Sequence, residues 1–284
     1  MQRRIWSRRI SALTVLWPLT VLSALTACGT GTTAQPQAAP SAVPVVLAEA
    51  LPADRLVFLV ESGGAFVPAV VAALESPQLA VYGDGRVFRY DNHRGGYEVP
   101  VGYTRATIDP LLVQRFAAET EALGLVDEDT DPGSPPISDV EYTTIRLHGA
   151  AGPRKLIAYA LDKELDETVT PAQRKERREL RALIERARTL PGDDAGTTYR
   201  PDRARVFQVD SYGAGKVPAW PGPAPASFLR PSQQHVACGT LDGSAAARAY
   251  AAARKNPGAT WKVGKTRRTL AVVALLPGLV GCES

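Results

Sequence analysis

Strands that arrive in pairs joined by short turns predict an α+β fold, an antiparallel sheet of hairpins with about three packed helices. Helices fall between these pairs and do not alternate with single strands, which argues against a doubly wound parallel sheet. After an apolar leader and a tether, about 230 residues are left for this fold. That length suffices for one large domain or two small ones.

The elements follow in order. Leu56 to Val60 is a short apolar run. Ser62-Gly63-Gly64 then reads as a turn and not as a nucleophile, because no G-x-S-x-G surrounds it. Leu79 to Tyr82 and Arg86 to Tyr90 form a hairpin across Gly83-Asp84-Gly85, whose glycines supply positive φ. Asp109 is an N-cap with Pro110 at the first helical position; Leu111, Leu112 and Phe116 mark the apolar face, and Gly124 ends the helix. Strands over Tyr142–His148 and Lys155–Leu161 flank a Gly-Ala-Ala-Gly-Pro turn. Thr170-Pro171 opens the clearest helix, with Leu180, Leu183, Ile184 and Ala187 on one side. A third helix runs from about Ser244 to Lys255, and strands around Trp261 and over Leu270–Leu275 complete the pattern. No repeat of 20 to 50 residues is visible.

The N-terminus decides location. Arg3, Arg4, Arg8 and Arg9 precede an apolar stretch, Ile10 to Ala27, in the order of a charged n-region and an h-region. A spanning helix is the competing reading, but Ser11, Thr14, Pro18, Thr20, Ser23 and Thr26 interrupt the roughly 20 apolar residues that a bilayer crossing needs. Ordinary cleavage after Ala27 would set the large Leu25 at the third position before the cut. Leu25-Thr26-Ala27-Cys28 instead resembles a bacterial lipobox. The resemblance implies that Cys28 becomes the first mature residue and carries a diacylglyceryl group, palmitate being the expected acyl chain. At roughly 0.8 kcal/mol per buried methylene, two chains make dissociation negligible. The expected location is the extracytoplasmic face of the cell membrane. Ser7-Arg8-Arg9 also leaves a twin-arginine signal open, although export by the general route fits the following Ser11 and Ala12 better.

Charge and cysteines read differently once residues 1–27 are set aside as the signal. The formal +4 suggests an anionic partner. All four signal arginines leave with the peptide, so the 33 basic residues fall to 29 against 29 acidic ones. No net field steers the mature chain toward nucleic acid, which is therefore not an expected partner. With Cys28 lipidated, Cys238 and Cys282 remain as an even pair in an oxidising compartment, where a disulfide is expected. Two buried free thiols are the other reading. Residues 28–48, rich in Thr, Ala, Pro and Gly, form a flexible tether, and residues 49–284 form the extracytoplasmic domain with a possible subdivision near 191–225.

Several short stretches together carry a wider resemblance: Tyr82-Gly83-Asp84-Gly85, Ala158-Tyr159-Ala160-Leu161 before an Arg-rich helix, Trp220-Pro221, Cys238, Trp261, Leu275-Leu276-Pro277-Gly278 and Cys282. The chain resembles a group of actinobacterial secreted lipoproteins over most of its mature length. That resemblance implies location and fold and hands over no catalytic residue.

Motifs with chemistry are few. Gly264-Lys265-Thr266 ends like a phosphate-binding loop, but the first glycine's place is taken by Ala259 and the segment joins two strands; it reads as a hairpin turn. His93, His148 and His235 are widely separated, and none has metal-ligand spacing. Asp127, Asp129 and Asp131 match the first three ligand positions of an EF-hand loop, after which Pro132 and Ser138 replace the required Gly and Glu. A solvated loop is the expectation. Arg174, Arg178, Arg181 and Arg188 recur at helical steps and suit an anionic surface, but Glu176, Glu179 and Glu185 dilute the stripe into a solvated flank. No catalytic residue, metal or cofactor is assigned. The expected function is a lipid-anchored envelope lipoprotein acting as a non-enzymatic binding or structural module toward an unknown envelope ligand or protein. The alternative is a secreted hydrolase with a dispersed active site.

Overall fold

Leu59 is fully buried on one side of its strand, and Phe58 and Val60 are fully buried on the other. A strand apolar on both faces needs a packed layer on each. The structure, a computed structural model, describes residues 51–91, 99–192, 196–209, 217–231 and 237–282. Cys28, the tether, His93 and His235 lie outside the described residues. Those described belong to one compact unit, Val46–Ser284.

The elements in chain order are β1 (Leu56–Gly63), α1 (Ala69–Ala73), β2 (Pro77–Tyr82), β3 (Arg86–Asp91), β4 (Gly102–Thr107), α2 (Pro110–Leu123), β5 (Tyr142–Gly149), β6 (Gly152–Tyr159), a 3-10 turn (Asp166–Thr168) and α3 (Pro171–Arg188). After these come β7 (Thr197–Thr198), β8 (Arg203–Gln208), α4 (Pro225–Phe228), β9 (Ala237–Asp242), α5 (Gly243–Ala253), β10 (Thr260–Val263) and β11 (Thr266–Ala274). Among the described residues they make two sheets, ordered β6-β5-β1-β2-β3-β4-β7 and β10-β11-β8-β9. Every strand ladder is antiparallel. The α+β expectation holds, with two sheets where one was expected.

Helices α2 and α3 cover one face of the large sheet, setting Val113, Phe116, Leu180, Leu183 and Ala187 against Phe58, Val60, Ile145 and Leu147. The rings of Phe58 and Phe116 meet edge to face, centroids 5.2 Å apart. The opposite face contributes Leu59, Ala80, Tyr82, Phe88 and Tyr103 to a second cluster with α5 and the small sheet. There α5 presents Ala246, Ala249 and Ala253, whose short side chains let its backbone come close. A third, small cluster sets Val70 and Leu74, within and just beyond α1, against Ala271 and Val273 on β11. Helix α5 and the four strands of the small sheet thus form a second layer, which α1 also touches.

The helix ends follow their sequence signals. Asp109 accepts from the Leu111 amide, and Gly124 closes α2 at φ 62°. Thr170 and Gln173 form a reciprocal capping box, Thr170 Oγ1 accepting from Gln173 N and Gln173 Oε1 from Thr170 N.

Some local expectations need correction. Leu111 is exposed, and the buried face of α2 runs through Val113, Phe116, Ala117 and Thr120. Ser62 and Gly63 belong to β1, because β5 pairs with them before the chain turns at Gly64. Gly85 alone of the two glycines in the first hairpin has positive φ, 87°. The expected strand Lys155–Leu161 is displaced to Gly152–Tyr159, since Ala160 turns out of the ladder at φ 49°. Gly264 and Lys265 do form the turn of the last hairpin, Gly264 at φ 59°.

Candidate functional site

A cleft opens where the end of β1 and the start of β2 and β5 meet the small sheet. The register of β1 against β2 slips between Val60 and Glu61, and such an irregularity re-aims the following side chains. Glu61 and Ser62 consequently line the cleft. The chain then passes through α1 and delivers Glu75 and Ser76 to the same place. Two adjoining hollows, of about 430 and 510 Å³, share Ser62, Glu75 and Ser76.

Glu75 is the central group. Its Oε1 accepts from the Gly64 amide at 3.3 Å, and its carboxylate lies against the Cα of Gly63, where any Cβ would collide with it. Burial raises the Glu75 carboxyl above the usual carboxylate range; the Gly64 hydrogen bond opposes this and the like charge of Glu141 adds to it. Ser62 Oγ accepts from Gln78 Nε2 at 2.8 Å.

The first hollow is further lined by Tyr90, Asp91, Glu141 and Arg254. Arg254 caps α5, and its Nη1 donates to the Pro100 carbonyl at 3.1 Å across Gly102, where a Cβ would strike the guanidinium. Tyr250, one turn earlier, donates to the Val101 carbonyl; burial pushes its hydroxyl up to about 12, so it stays a donor. Together the two side chains tie α5 to the stretch leading into β4.

The second hollow is further lined by Glu61, Tyr142, Thr144, Arg205 and Phe207. Glu61 pairs with Arg146 at 3.2 Å. Arg205 lies on β8 with its guanidinium carbon 5.6 Å from the Phe207 ring centre. Among the described residues its buried Nε has no hydrogen-bond partner. Burial lowers the Arg205 pKa, with Glu61 acting in the opposite direction, and the group remains a cation at neutral pH.

The residues singled out in the sequence lie elsewhere. Cys238 on β9 and Cys282 beyond β11 come to disulfide distance, their Cα atoms 5.6 Å apart, and Cys282 N donates to Thr240 Oγ1 at 3.2 Å. His148 is on β5 and does not line the cleft. In the acidic loop, Asp127 accepts from the Asp129 amide and pairs with Arg154 at 2.5 Å, while Asp131 accepts from the Gly133 amide and from Gln173. These two carboxylates are committed to the protein. Among the described residues no group of three or more His, Cys, Asp or Glu is arranged to hold a metal ion.

Within the arginine stripe, Arg174 and Arg181 reach back to Asp166, and Arg188 lies 3.7 Å from Glu185. The stripe's neighbour Arg177, passed over in the sequence reading, is fully buried.

Glu75, Glu141, Arg205 and Arg254 were also missed. The signal for Arg205 was present in Arg203-Ala204-Arg205-Val206, where alternating charge and small apolar residues mark a strand with one polar face. Glu75 follows five residues too short to read as a helix. A scan against protein-family models finds no match, and a search of curated proteins finds none either.

Proposed function

We propose that the chain is a lipid-anchored protein of the extracytoplasmic face of the cell membrane, whose folded domain binds a ligand without carrying out a reaction on it. The observation that carries this reading is the approach of Cys238 and Cys282 to disulfide distance. A bridge there is suited to an oxidising compartment, and it leaves Cys28, directly after Leu25-Thr26-Ala27, as the odd cysteine for lipid. Residues 28–48 would let the domain range about 25 Å from its anchor as a flexible coil.

Binding is favoured over hydrolysis by the partners of the cleft side chains. Ser62, which lines both hollows, accepts from the amide of Gln78, a group that cannot take up the proton a nucleophilic serine must lose. Glu75 is pinned by Gly63 and Gly64, as befits a fixed recognition group.

The test is Cys28→Ala in a bacterial host with a lipoprotein pathway. The variant should accumulate as unprocessed precursor or leave the detergent phase, whereas the wild type partitions into it. Equal partitioning of processed variant and wild type contradicts the proposal.

A further inference from the structure

We propose that the β10–β11 hairpin rests on the surface of an anionic phospholipid bilayer, its exposed cations Lys262, Lys265, Arg267 and Arg268 lying among the headgroup phosphates. This rests on the reading of the protein as one of the outer face of the membrane, and it says which side of the domain meets the lipid.

The mature chain is balanced in charge overall and uneven along its length. Residues 243–282 hold seven Lys and Arg and no Asp or Glu. Four of the seven fall within residues 262–268, and all four are exposed. Residues 210–216, which follow β8 in the chain and lie outside the described residues, carry one acid and one base, Asp210 and Lys216, and leave that excess unchanged.

The register concentrates the charge. Gly264 and Lys265 make the turn, and Lys262 stands directly opposite Arg267. Directly opposed residues of an antiparallel pair share a face with their Cβ atoms about 5 Å apart, and two like charges there destabilise the pairing. Among the described residues no carboxylate pairs with Lys262, Lys265, Arg267 or Arg268. Arg268 donates to the neutral amide oxygen of Gln208 at 2.7 Å, which leaves its charge unmatched. Phosphates of an anionic leaflet would match all four, each cation adding about fivefold to surface partitioning.

The fold leaves the side chains as the means of contact. Along the outer edge of the hairpin the Lys262 amide donates to the Pro218 carbonyl at 2.8 Å, and the Trp220 amide to the Lys262 carbonyl at 3.0 Å. That edge is closed to an added strand. The four cations line neither of the two hollows, and an exposed hairpin suits a flat array of phosphates better than one enclosed small anion. Residues 28–48 reach about 70 Å at full extension, so the anchor leaves this side of the domain free to meet the bilayer.

The chain carries its own reporter. Trp220 and Trp261 are the two tryptophans after Cys28; Trp261 belongs to β10, and its ring meets that of Trp220 edge to face at 5.3 Å. The experiment reconstitutes the detergent-extracted, full-length mature protein into vesicles bearing a trace of dansyl-headgroup lipid and measures energy transfer from tryptophan to dansyl. The vesicles are phosphatidylcholine alone, or equal parts phosphatidylcholine and phosphatidylglycerol.

Transfer should be about twofold or more higher on the anionic vesicles and should fall to the neutral level in about 1 M NaCl, where the screening length is about 3 Å. The double variant Lys262→Gln with Arg267→Gln should lose the increase, and should melt no lower than wild type because it removes a like-charge pair. Lys175→Gln with Arg178→Gln, which removes two exposed cations from α3 on the far side of the large sheet, should keep it. Equal transfer on the two kinds of vesicle, or an increase that survives high salt or the hairpin variant, overturns the inference. Protection of Lys262 and Lys265 from acetylation by a soluble glycerol-phosphate polymer but not by anionic vesicles also overturns it, and assigns the hairpin to a wall polymer. Protein that floats with both kinds of vesicle yet shows equal transfer contradicts the inference alone; protein that floats only with the anionic vesicles supports it and contradicts the lipid anchor.

Discussion

The guanidinium of Arg177 donates to the carbonyl oxygen of Ala160, a residue that leaves β6 in the left-handed conformation at φ 49°. The same guanidinium donates to the Tyr159 carbonyl at 3.0 Å and to the Asp166 carboxylate at 3.1 Å. A fully buried arginine on α3 thus fixes the turn by which the chain leaves the large sheet.

Removing that side chain takes one of the two arginine partners of Asp166 and the buried donor to the carbonyls of Tyr159 and Ala160. Arg177→Met is expected to cost about 3 kcal/mol or more, seen as a lower midpoint in denaturant unfolding. Arg177→Lys should recover less than half of this, because one ammonium cannot reproduce the planar fork.

Asp166 adds a pH dependence of known sign. The hydrogen bond from Arg181 first, with help from Arg177 and against the opposing effect of burial, holds its carboxyl below the ordinary aspartate value. A depressed folded pKa means that the stabilisation is complete above the unfolded value of about 3.9 and is lost as pH falls through the folded one. Asp166→Asn should be less stable than wild type by about 1 kcal/mol at pH 7, and the gap should close below pH of about 4. Unfolding midpoints between pH 7 and 3 check this, and a gap that widens in acid contradicts it.

A bridge between Cys238 and Cys282 spans 44 positions. Constraint of the unfolded chain over a loop of that size contributes about 4 kcal/mol in the chain-entropy account. Reduction, or Cys282→Ser, should therefore lower Tm by roughly 8 to 16 °C in a domain of this size. Free-thiol labelling of both cysteines in native protein would show them unbridged.

Calcium should have no effect on stability. Asp127 and Asp131 already have Arg154 and Gln173 as partners, so a metal would have to displace both. A site with a dissociation constant near 10⁻⁴ M would add about 1.4 kcal/mol at ten times that concentration, a rise of a few degrees. Melting curves with and without about 1 mM Ca²⁺ should superimpose, and a rise abolished by Asp129→Asn would reassign the loop.

Where the sequence could be read and where it could not has a physical pattern. The hairpin of β2 and β3, both caps of α2 and the capping box of α3 rest on contacts within a few residues, so Gly85, Asp109, Gly124 and Thr170 were legible. The second sheet was not, because β8 finds its partner β11 more than sixty positions later, and the alternation within its six residues marks a strand without naming that partner. Arg177 was passed over for a related reason. Charged residues on a helix ordinarily face water, and this one is buried because backbone carbonyls from distant turns surround it. The cleft failed on both counts, since Glu75, Glu141, Arg205 and Arg254 come from four separate parts of the chain and each is unremarkable alone.

The central claim is the covalent anchor, and the N-terminal peptide of the mature protein tests it most directly. Mass spectrometry of protein extracted from membranes should find Cys28 as the first residue, carrying a diacylglyceryl group on sulfur. A mature chain that begins at any other residue, or a Cys28 with a free thiol in membrane-associated protein, contradicts the account.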